Sequence, residues 1–324
     1  MKLKPLGNTG VLVSELCFGT MSFGGDADKA ESARMYAACR ERGINFFDCA
    51  DAYSGGKAEE ILGGLMAGHR NDLVITSKCH RPTGPDPNAR GANRRHIAQA
   101  VEASLKRLGT DRLDVLFLHR WDSVTPLEET LRALEQLVSA GKVIYLGASN
   151  YAAWQIAKGL GITQHRGWPR FDVVQPMYNL VKRQAESEIL PLAAAERLGV
   201  ITYSPLGGGL LSGKYGPDRK PNAGRLMSNR EYERRYGEPW VFEVAGKFSE
   251  FAAARGFHPV SLAVSWVGSH PAITCPIVGA RNLEQLLPSL DSIKIAMTPA
   301  LRSEIGGLSR RPAPAHDRFE EQAA

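Results

Sequence analysis

LDVLFLHRWDSVTPLEETLRALEQLVSAGKVIYLGAS, residues 113–149, reads as strand, helix and strand. LDVLFL (113–118) and VIYLGAS (143–149) are almost continuously apolar, as strands buried on both faces are. LEETLRALEQLVSAG between them has helical period, and Gly141 ends it as a C-cap. Such a unit is a parallel crossover. The same alternation runs through the chain. Further strands are expected at LCFGT (16–20), NFFDCA (45–50), LVITSK (73–78), FDVVQP (171–176), VITYSP (200–205) and ITCPIV (273–278). Helices are expected at 27–43, 57–68, 94–109 and 186–199, with Gly43, Gly109 and Gly199 as C-caps like Gly141. This alternation leaves an open doubly wound sheet or a closed barrel. Eight units in about 290 residues favour the (β/α)8 barrel.

Two pieces stand outside that count. MKLKPLGNTGVLVSEL places Asn8, Thr9 and Gly10 between apolar flanks, a hairpin expected to cover the barrel floor. The stretch from Gly207 to Pro239 is rich in Gly, Pro and Arg and follows the seventh strand. A structureless loop of that length is usually functional or disordered. The tail after Leu308 has little apolar content. The expected organisation is one barrel domain over 1–310 and a mobile tail over 311–324.

Composition fits a soluble protein with a full core: 43% of the 324 residues are hydrophobic and 23% charged. The net charge of +6 spreads over 40 basic and 34 acidic residues without a long run of one sign, which argues against a nucleic-acid stripe. Cys17, Cys39, Cys49, Cys79 and Cys275 are odd in number and contain no CxxC, so neither a disulfide framework nor a zinc clip is suggested. Free thiols, an N-terminus unlike a signal peptide and the lack of any apolar run near 20 residues point to the cytoplasm, with no membrane partner.

Active sites of this fold are built at the C-terminal ends of the strands. FFDCADAY offers Asp48, Asp51 and Tyr53 there; the third strand ends in Lys78 and the fourth in His119. Each alone has an ordinary reading as a solvated or capping residue. Together they form a proton relay. A tyrosine alone is a sluggish acid at neutral pH, and a neighbouring ammonium is expected to lower its pKa. Asp48 would keep that ammonium charged, and His119 could orient a carbonyl oxygen. GxSxG, the dinucleotide fingerprint GxGxxG and a Walker A motif are absent; GGGLLSG (207–213) has glycines without the right spacing.

At these residues the chain resembles the aldo-keto reductases, in particular the branch that includes the β subunits of Shaker-type potassium channels. FDCADAY looks like that family's FDTAxxY motif. Lys78 in ITSK and His119 in FLHRWD match its other two catalytic positions, with similar intervals of 5, 25 and 41 positions from 48 to 53, to 78 and to 119. The likeness runs from the hairpin to about Ser289. It implies metal-free hydride transfer between NADP(H) and a small carbonyl or alcohol, with Tyr53 as general acid or base, Lys78 tuning it, Asp48 holding the lysine and His119 binding the carbonyl.

For the cofactor, the resemblance implies contacts from Thr20 and Met21, a carboxamide grip by Ser149, Asn150 and Gln175, and stacking by Tyr203. Ser204, Pro205, Leu206 and Gly207 would line the pyrophosphate, with Lys214 and Arg225 closing over it. Gly279, Arg281 and Gln285 would hold the adenosine ribose and its 2′-phosphate, a group that suits a guanidinium fork. A Glu-Asn pair frequent near the adenine is replaced by Pro288 and Ser289. Met21 stands where many relatives carry tryptophan, and Phe23, Ser54 and Trp121 are expected near the substrate. Two other classes remain: a cofactor-binding regulatory subunit, and a lyase in which Lys78 forms a Schiff base. The sequence leaves substrate, direction and oligomeric state open.

Overall fold

The computed structural model describes residues 1–222 and 224–318. Eight parallel strands close into a barrel: β3 (Cys17–Gly19), β4 (Phe46–Asp48), β5 (Val74–Cys79), β6 (Leu113–Leu118), β7 (Val143–Ser149), β8 (Phe171–Gln175), β9 (Gly199–Thr202) and β10 (Cys275–Val278). They pair in chain order, and β10 returns to β3. Ahead of them an antiparallel hairpin joins β1 (Leu3–Pro5) to β2 (Leu12–Ser14). The expected barrel and hairpin are therefore both present.

The apolar strands fill two cores. Side chains pointing inward, including Phe46, Val115, Phe117, Val173 and Ile201, form one cluster. Their neighbours pointing outward, such as Phe47, Leu116, Leu118 and Val174, pack beneath the helices in the other. Burial on both faces is why these strands lack polar alternation. Leu6 and Val13 of the hairpin join the inner cluster with no exposed surface, so the hairpin plugs the barrel floor.

Helices α1 (Lys29–Glu41), α2 (Lys57–Leu65), α3 (Arg94–Leu108), α4 (Leu127–Ser139) and α6 (Ile189–Ala195) occupy the five expected segments. Helix α3 shows the local logic: Asn93 caps its first turn by accepting from the His96 amide, and Gly109 ends it at φ 61°. Gly43 and Gly141 are likewise left-handed, at φ 81° and 70°.

Gly199 is not a C-cap. The left-handed residue after α6 is Arg197, at φ 52°, and Gly199 opens β9. Its reason is close approach, because a β-carbon there would lie 2.8 Å from Leu6 Cδ1. Five further helices lie outside the expected segments: α5 (Ala153–Arg166), α9 (Pro239–Ala254), α10 (Pro259–Gly268), α11 (Leu283–Leu290) and α12 (Pro299–Gly307). The stretch 207–239 is not structureless either. It holds α7 (Arg225–Ser228), α8 (Arg230–Tyr236) and a turn of 3₁₀-helix at Gly207–Gly209. Of the expected tail, 311–318 carry no helix or strand, and 319–324 lie outside the described residues. All five cysteines are buried and free. No helix among the described residues is long and apolar enough to cross a membrane.

Candidate active site

The strand ends place a chain of polar groups on one rim. Asp48 closes β4, and its Oδ2 accepts from Lys78 Nζ at 2.6 Å. Lys78 Nζ also donates to the Cys49 carbonyl at 2.7 Å and to Tyr53 Oη at 3.2 Å. The other Asp48 oxygen accepts from Thr76 Oγ1 at 2.8 Å and Gln175 Nε2 at 2.9 Å. Asp48 is thus locked by three donors and fixes the lysine beneath the phenol. Across the barrel mouth the network continues. Tyr203 Oη donates to Asn150 Oδ1 at 2.6 Å, and Asn150 Nδ2 donates to Ser149 Oγ at 3.1 Å and to the His119 carbonyl at 2.9 Å. Ser149 Oγ donates to the Gln175 carbonyl at 3.0 Å. One hydrogen-bonded arc links Tyr203 to Tyr53.

Burial sets the protonation of the set. Lys78 is 1% exposed; burial alone would lower its pKa, but Asp48 and then Tyr53 outweigh that and hold it above the usual lysine value. His119 is pushed down to about 2 by burial and then by the Lys78 charge, so its imidazole is neutral. Its Nδ1 is buried without a hydrogen-bond partner among the described residues. The Tyr53 phenol sits edge-on to His119, ring centres 6.0 Å apart.

Tyr53 departs from expectation. Its pKa is pushed up to about 12 by burial, against a smaller lowering by Lys78. The ammonium acts in the expected direction but is already neutralised by Asp48, so desolvation wins.

These groups line a cavity of about 1450 Å³, larger than the roughly 300–1,000 Å³ common for small ligands. Asp48, Tyr53 and His119 lie on its wall, with Lys78 directly behind Tyr53. So do Met21, Ser149, Asn150, Gln175, Tyr203, Ser204, Pro205, Leu206, Lys214, Arg225, Gly279, Arg281 and Gln285, together with Pro288 and Ser289. Thr20 and Gly207 stand behind the wall instead. Thr20 is fully buried and donates to the Asp48 carbonyl at 3.0 Å. Gly207 is buried while Gly208 and Gly209 face the cavity. All three of these glycines have positive φ, at 59°, 70° and 101°, which explains the GGG run without flexibility. Ser54 and Trp121 are on the wall as expected. Phe23 is not; it is buried in the core against Phe18.

The donor set fits a dinucleotide phosphate. Lys214, Arg225 and Arg281 cluster at the β9 and β10 end of the cavity. Asp26 Oδ2 holds Arg225 at 3.5 Å and Arg281 at 3.4 Å, tying the long loop to the segment after β10. Sequence reasoning missed Arg81, Arg120, Tyr232 and Arg235, which also line the cavity. The first two directly follow strand ends, a signal that position alone could have raised. Asp51 behaves differently from its neighbours in the motif. It is 3% exposed and off the wall, and neither carboxylate oxygen has a hydrogen-bond partner among the described residues.

Residues 15–308 match the model of the Aldo/keto reductase family. A probable voltage-gated potassium channel subunit beta from Arabidopsis thaliana is 36% identical over 94% of this chain and 95% of its own length. An uncharacterized oxidoreductase of Bacillus subtilis is 37% identical over 92% of each chain. The versiconal hemiacetal acetate reductase of Aspergillus parasiticus is 32% identical over 92% of this chain and 94% of its own.

Proposed function

The chain belongs to the aldo/keto reductase family, and from that premise we propose that it is an NADP(H)-dependent enzyme interconverting a small aldehyde or ketone with its alcohol. The observation that carries this reading is the buried Asp48–Lys78–Tyr53 relay, with contacts of 2.6 and 3.2 Å, facing a neutral His119 across one cavity.

The nicotinamide, when bound, supplies the hydride. The chain's own residues manage the oxygen. A neutral His119 donates a hydrogen bond to the substrate carbonyl and orients it toward Tyr53. The Tyr53 phenol keeps its proton at neutral pH and releases it to the oxygen as negative charge develops there. Lys78 steadies the phenolate left behind, and Asp48 keeps Lys78 aimed. With its pKa pushed up to about 12, the phenol carries its proton at neutral pH, the form that reduction needs, whereas oxidation needs the phenolate that Lys78 stabilises. Ser149, Asn150 and Gln175 would hold the carboxamide, and Tyr203 would take the nicotinamide ring. Ser204, Pro205 and Leu206 with Lys214 and Arg225 would flank the pyrophosphate, with buried Gly207 shaping the turn behind them. Gly279, Arg281 and Gln285 hold the 2′-phosphate end; this favours NADP(H) over NAD(H). Thr20 acts from behind, through Asp48. Residues 1–310 serve as one catalytic domain, and five free thiols suit a reducing compartment such as the cytoplasm.

The relative named as a channel subunit favours a second reading, a cofactor-binding regulatory protein with weak turnover. One assay separates them: a panel of aldehydes, ketones, alcohols and sugars with NADPH and NADH, followed by the absorbance of reduced nicotinamide. Turnover of a carbonyl, abolished in Tyr53→Phe, supports the enzyme. Tight NADP+ retention without turnover of any carbonyl supports the subunit.

A further inference from the structure

The cavity wall has an imbalance that cofactor binding does not use up. Its cationic lining residues are Arg81, Arg120, Lys214, Arg225, Arg235 and Arg281, against exposed Glu231 and Glu284 and Asp48, which Lys78 already neutralises from behind the wall. Lys214, Arg225 and Arg281 follow β9 and β10, where a dinucleotide's phosphates would lie. Arg81 and Arg120 follow β5 and β6, three to four strands away around the closed barrel. They stand three residues beyond Lys78 and one beyond His119.

Neither guanidinium makes a hydrogen bond or ion pair among the described residues. Arg225 and Arg281 share Asp26, whereas the nearest acid in sequence to Arg120, Asp122, is occupied. Its oxygens cap the Ala92 and Val124 amides and the Thr125 hydroxyl. The backbone holds Arg81 at the mouth as well. His80 is at φ 143°, a conformation rare for a side-chain-bearing residue, and its carbonyl accepts from the Gly91 amide at 2.8 Å. Arg81 acts electrostatically on both His119 and Tyr203, and Arg120 on His119. An exposed arginine is usually just solvated. Two of them, unpaired and on adjacent strand ends beside the proposed proton relay, make a fork for an anion.

We propose that the substrate carries an anionic oxyacid group, a carboxylate or a phosphate, and that Arg81 and Arg120 hold it while its carbonyl meets Tyr53 and His119. This names the substrate class of the site and rests on the carbonyl-reductase reading for the word substrate. The anion site itself does not depend on turnover. Trp121 beside Arg120 gives the body of such a molecule an apolar wall.

Two readouts keep the claims separate. Calorimetry on the NADP+-loaded protein compares benzoate, phenyl phosphate and neutral benzamide. Steady-state assays with NADPH compare 4-formylbenzoate, 4-formylphenyl phosphate and neutral 4-nitrobenzaldehyde. The expected result at low salt is a preference for the anionic member of each set of about 10- to 100-fold, the size of one or two charge-assisted contacts. It should shrink as ionic strength rises. In the double variant Arg81→Gln/Arg120→Gln the ratio should fall to near one, while the NADP+ dissociation constant stays within about twofold. Whichever of benzoate and phenyl phosphate binds tighter identifies the group. Turnover of the neutral aldehyde with no anionic preference would overturn the anion site and leave the reductase reading standing. An anionic binding preference without any turnover would do the reverse. A variant that loses NADP+ affinity as much as benzoate affinity would reassign both arginines to the cofactor and overturn the proposal.

Discussion

The two ends of the barrel solve opposite problems with the same strands. At the floor, Leu6 and Val13 enter the inner core with no exposed surface, and a glycine at 199 lets the hairpin come within contact distance of β9. At the rim, four residues with side chains hold positive φ: Ser54, His80, Asn150 and Ser204. Only Arg197, among the described residues, does so elsewhere. Of the seven described residues with buried polar side-chain atoms lacking a partner, four follow strand ends at the rim: Ser22, Asp51, His80 and His119. The others are His96 on α3, Thr202 in β9 and Ser309 after α12. Backbone strain and unmet hydrogen bonding persist only where surrounding structure enforces them. The floor therefore reads as stability and the rim as chemistry, and substitutions should separate the two.

The largest separation is expected at Tyr53. Tyr53→Phe removes the proposed proton donor and no apolar contact, so kcat should fall by about 10²–10⁴-fold with little change in melting temperature. Single-turnover kinetics with chemistry limiting are the measurement; a rate above roughly a tenth of the parent's would remove Tyr53 from its role. Lys78→Met should lose comparable activity. Unlike Tyr53→Phe it should also lose stability, because it leaves the Asp48 carboxylate buried without its cation.

Leu6→Ala should give the mirror image. A fully buried leucine truncated at the floor costs about 2–5 kcal/mol, read as a lowered denaturation midpoint with kcat retained below it. Equal loss of kcat at a temperature where the variant is folded would mean that floor and rim are mechanically coupled.

Arg281→Ala tests the cofactor end of the rim. Losing a charge-assisted contact to a 2′-phosphate costs on the order of 1.5–3 kcal/mol, so NADPH should weaken by one to two decades and NADH hardly at all. Fluorescence titration of both cofactors makes the comparison internal. Equal weakening of the two would place Arg281 on the shared part of the dinucleotide or limit it to its ion pair with Asp26.

Floor and rim also differed in how far the sequence disclosed them. Strands buried on both faces carry a signal in every residue, and β6 and β7 begin and end where their apolar runs do. The catalytic candidates were legible because they sit at or just past the ends of such strands: Asp48 closes β4, Lys78 is next to last in β5, His119 follows β6, and Tyr53 comes five residues after Asp48. Gly199 misled because a glycine after a helix and a glycine under a packed hairpin look alike in one dimension. Helices α9 and α10 carry apolar residues on most of their surface, so period alone did not mark them. The loop from Gly207 to Pro239 carries no structural signal of its own in the sequence because its order comes from distant partners, such as Asp26 on Arg225. The phenol's pKa missed in sign for a related reason. A lysine's pull was readable from neighbours in the motif, but the desolvation that exceeds it belongs to the finished barrel.

Asp51 gives the smallest expected effect and the most discriminating one, because it belongs to the rim's motif yet lies off the wall of the site's cavity. Burial, with Glu59 adding to it, pushes its carboxyl up to about 7. An aspartate in an unfolded chain titrates near 3.9. Between those values the folded protein keeps a proton that the unfolded chain has released, so raising the pH draws the equilibrium toward unfolding. The contribution is complete below about pH 4 and is lost as pH climbs through 7. Asparagine has no such slope. Asp51→Asn minus parent should therefore grow with pH and level off near pH 8, at about 1–2 kcal/mol once relaxation and water entry reduce the full shift, or about 2–4 °C in melting temperature. The difference matters more than either curve. His119, held neutral down to about 2 where a free imidazole titrates near 6.5, costs stability as pH falls below 6.5. Its slope opposes that of Asp51 between pH 5 and 6.5. His80, His96 and His270, also lowered by burial, add to the His119 slope, while Asp172 adds to that of Asp51. The parent's own profile therefore mixes several groups, and only the difference isolates Asp51. Parallel curves for variant and parent from pH 5 to 8 would show that the Asp51 carboxylate is ionised and partnered, and that the rim's unmet polarity is confined to its histidines and Ser22.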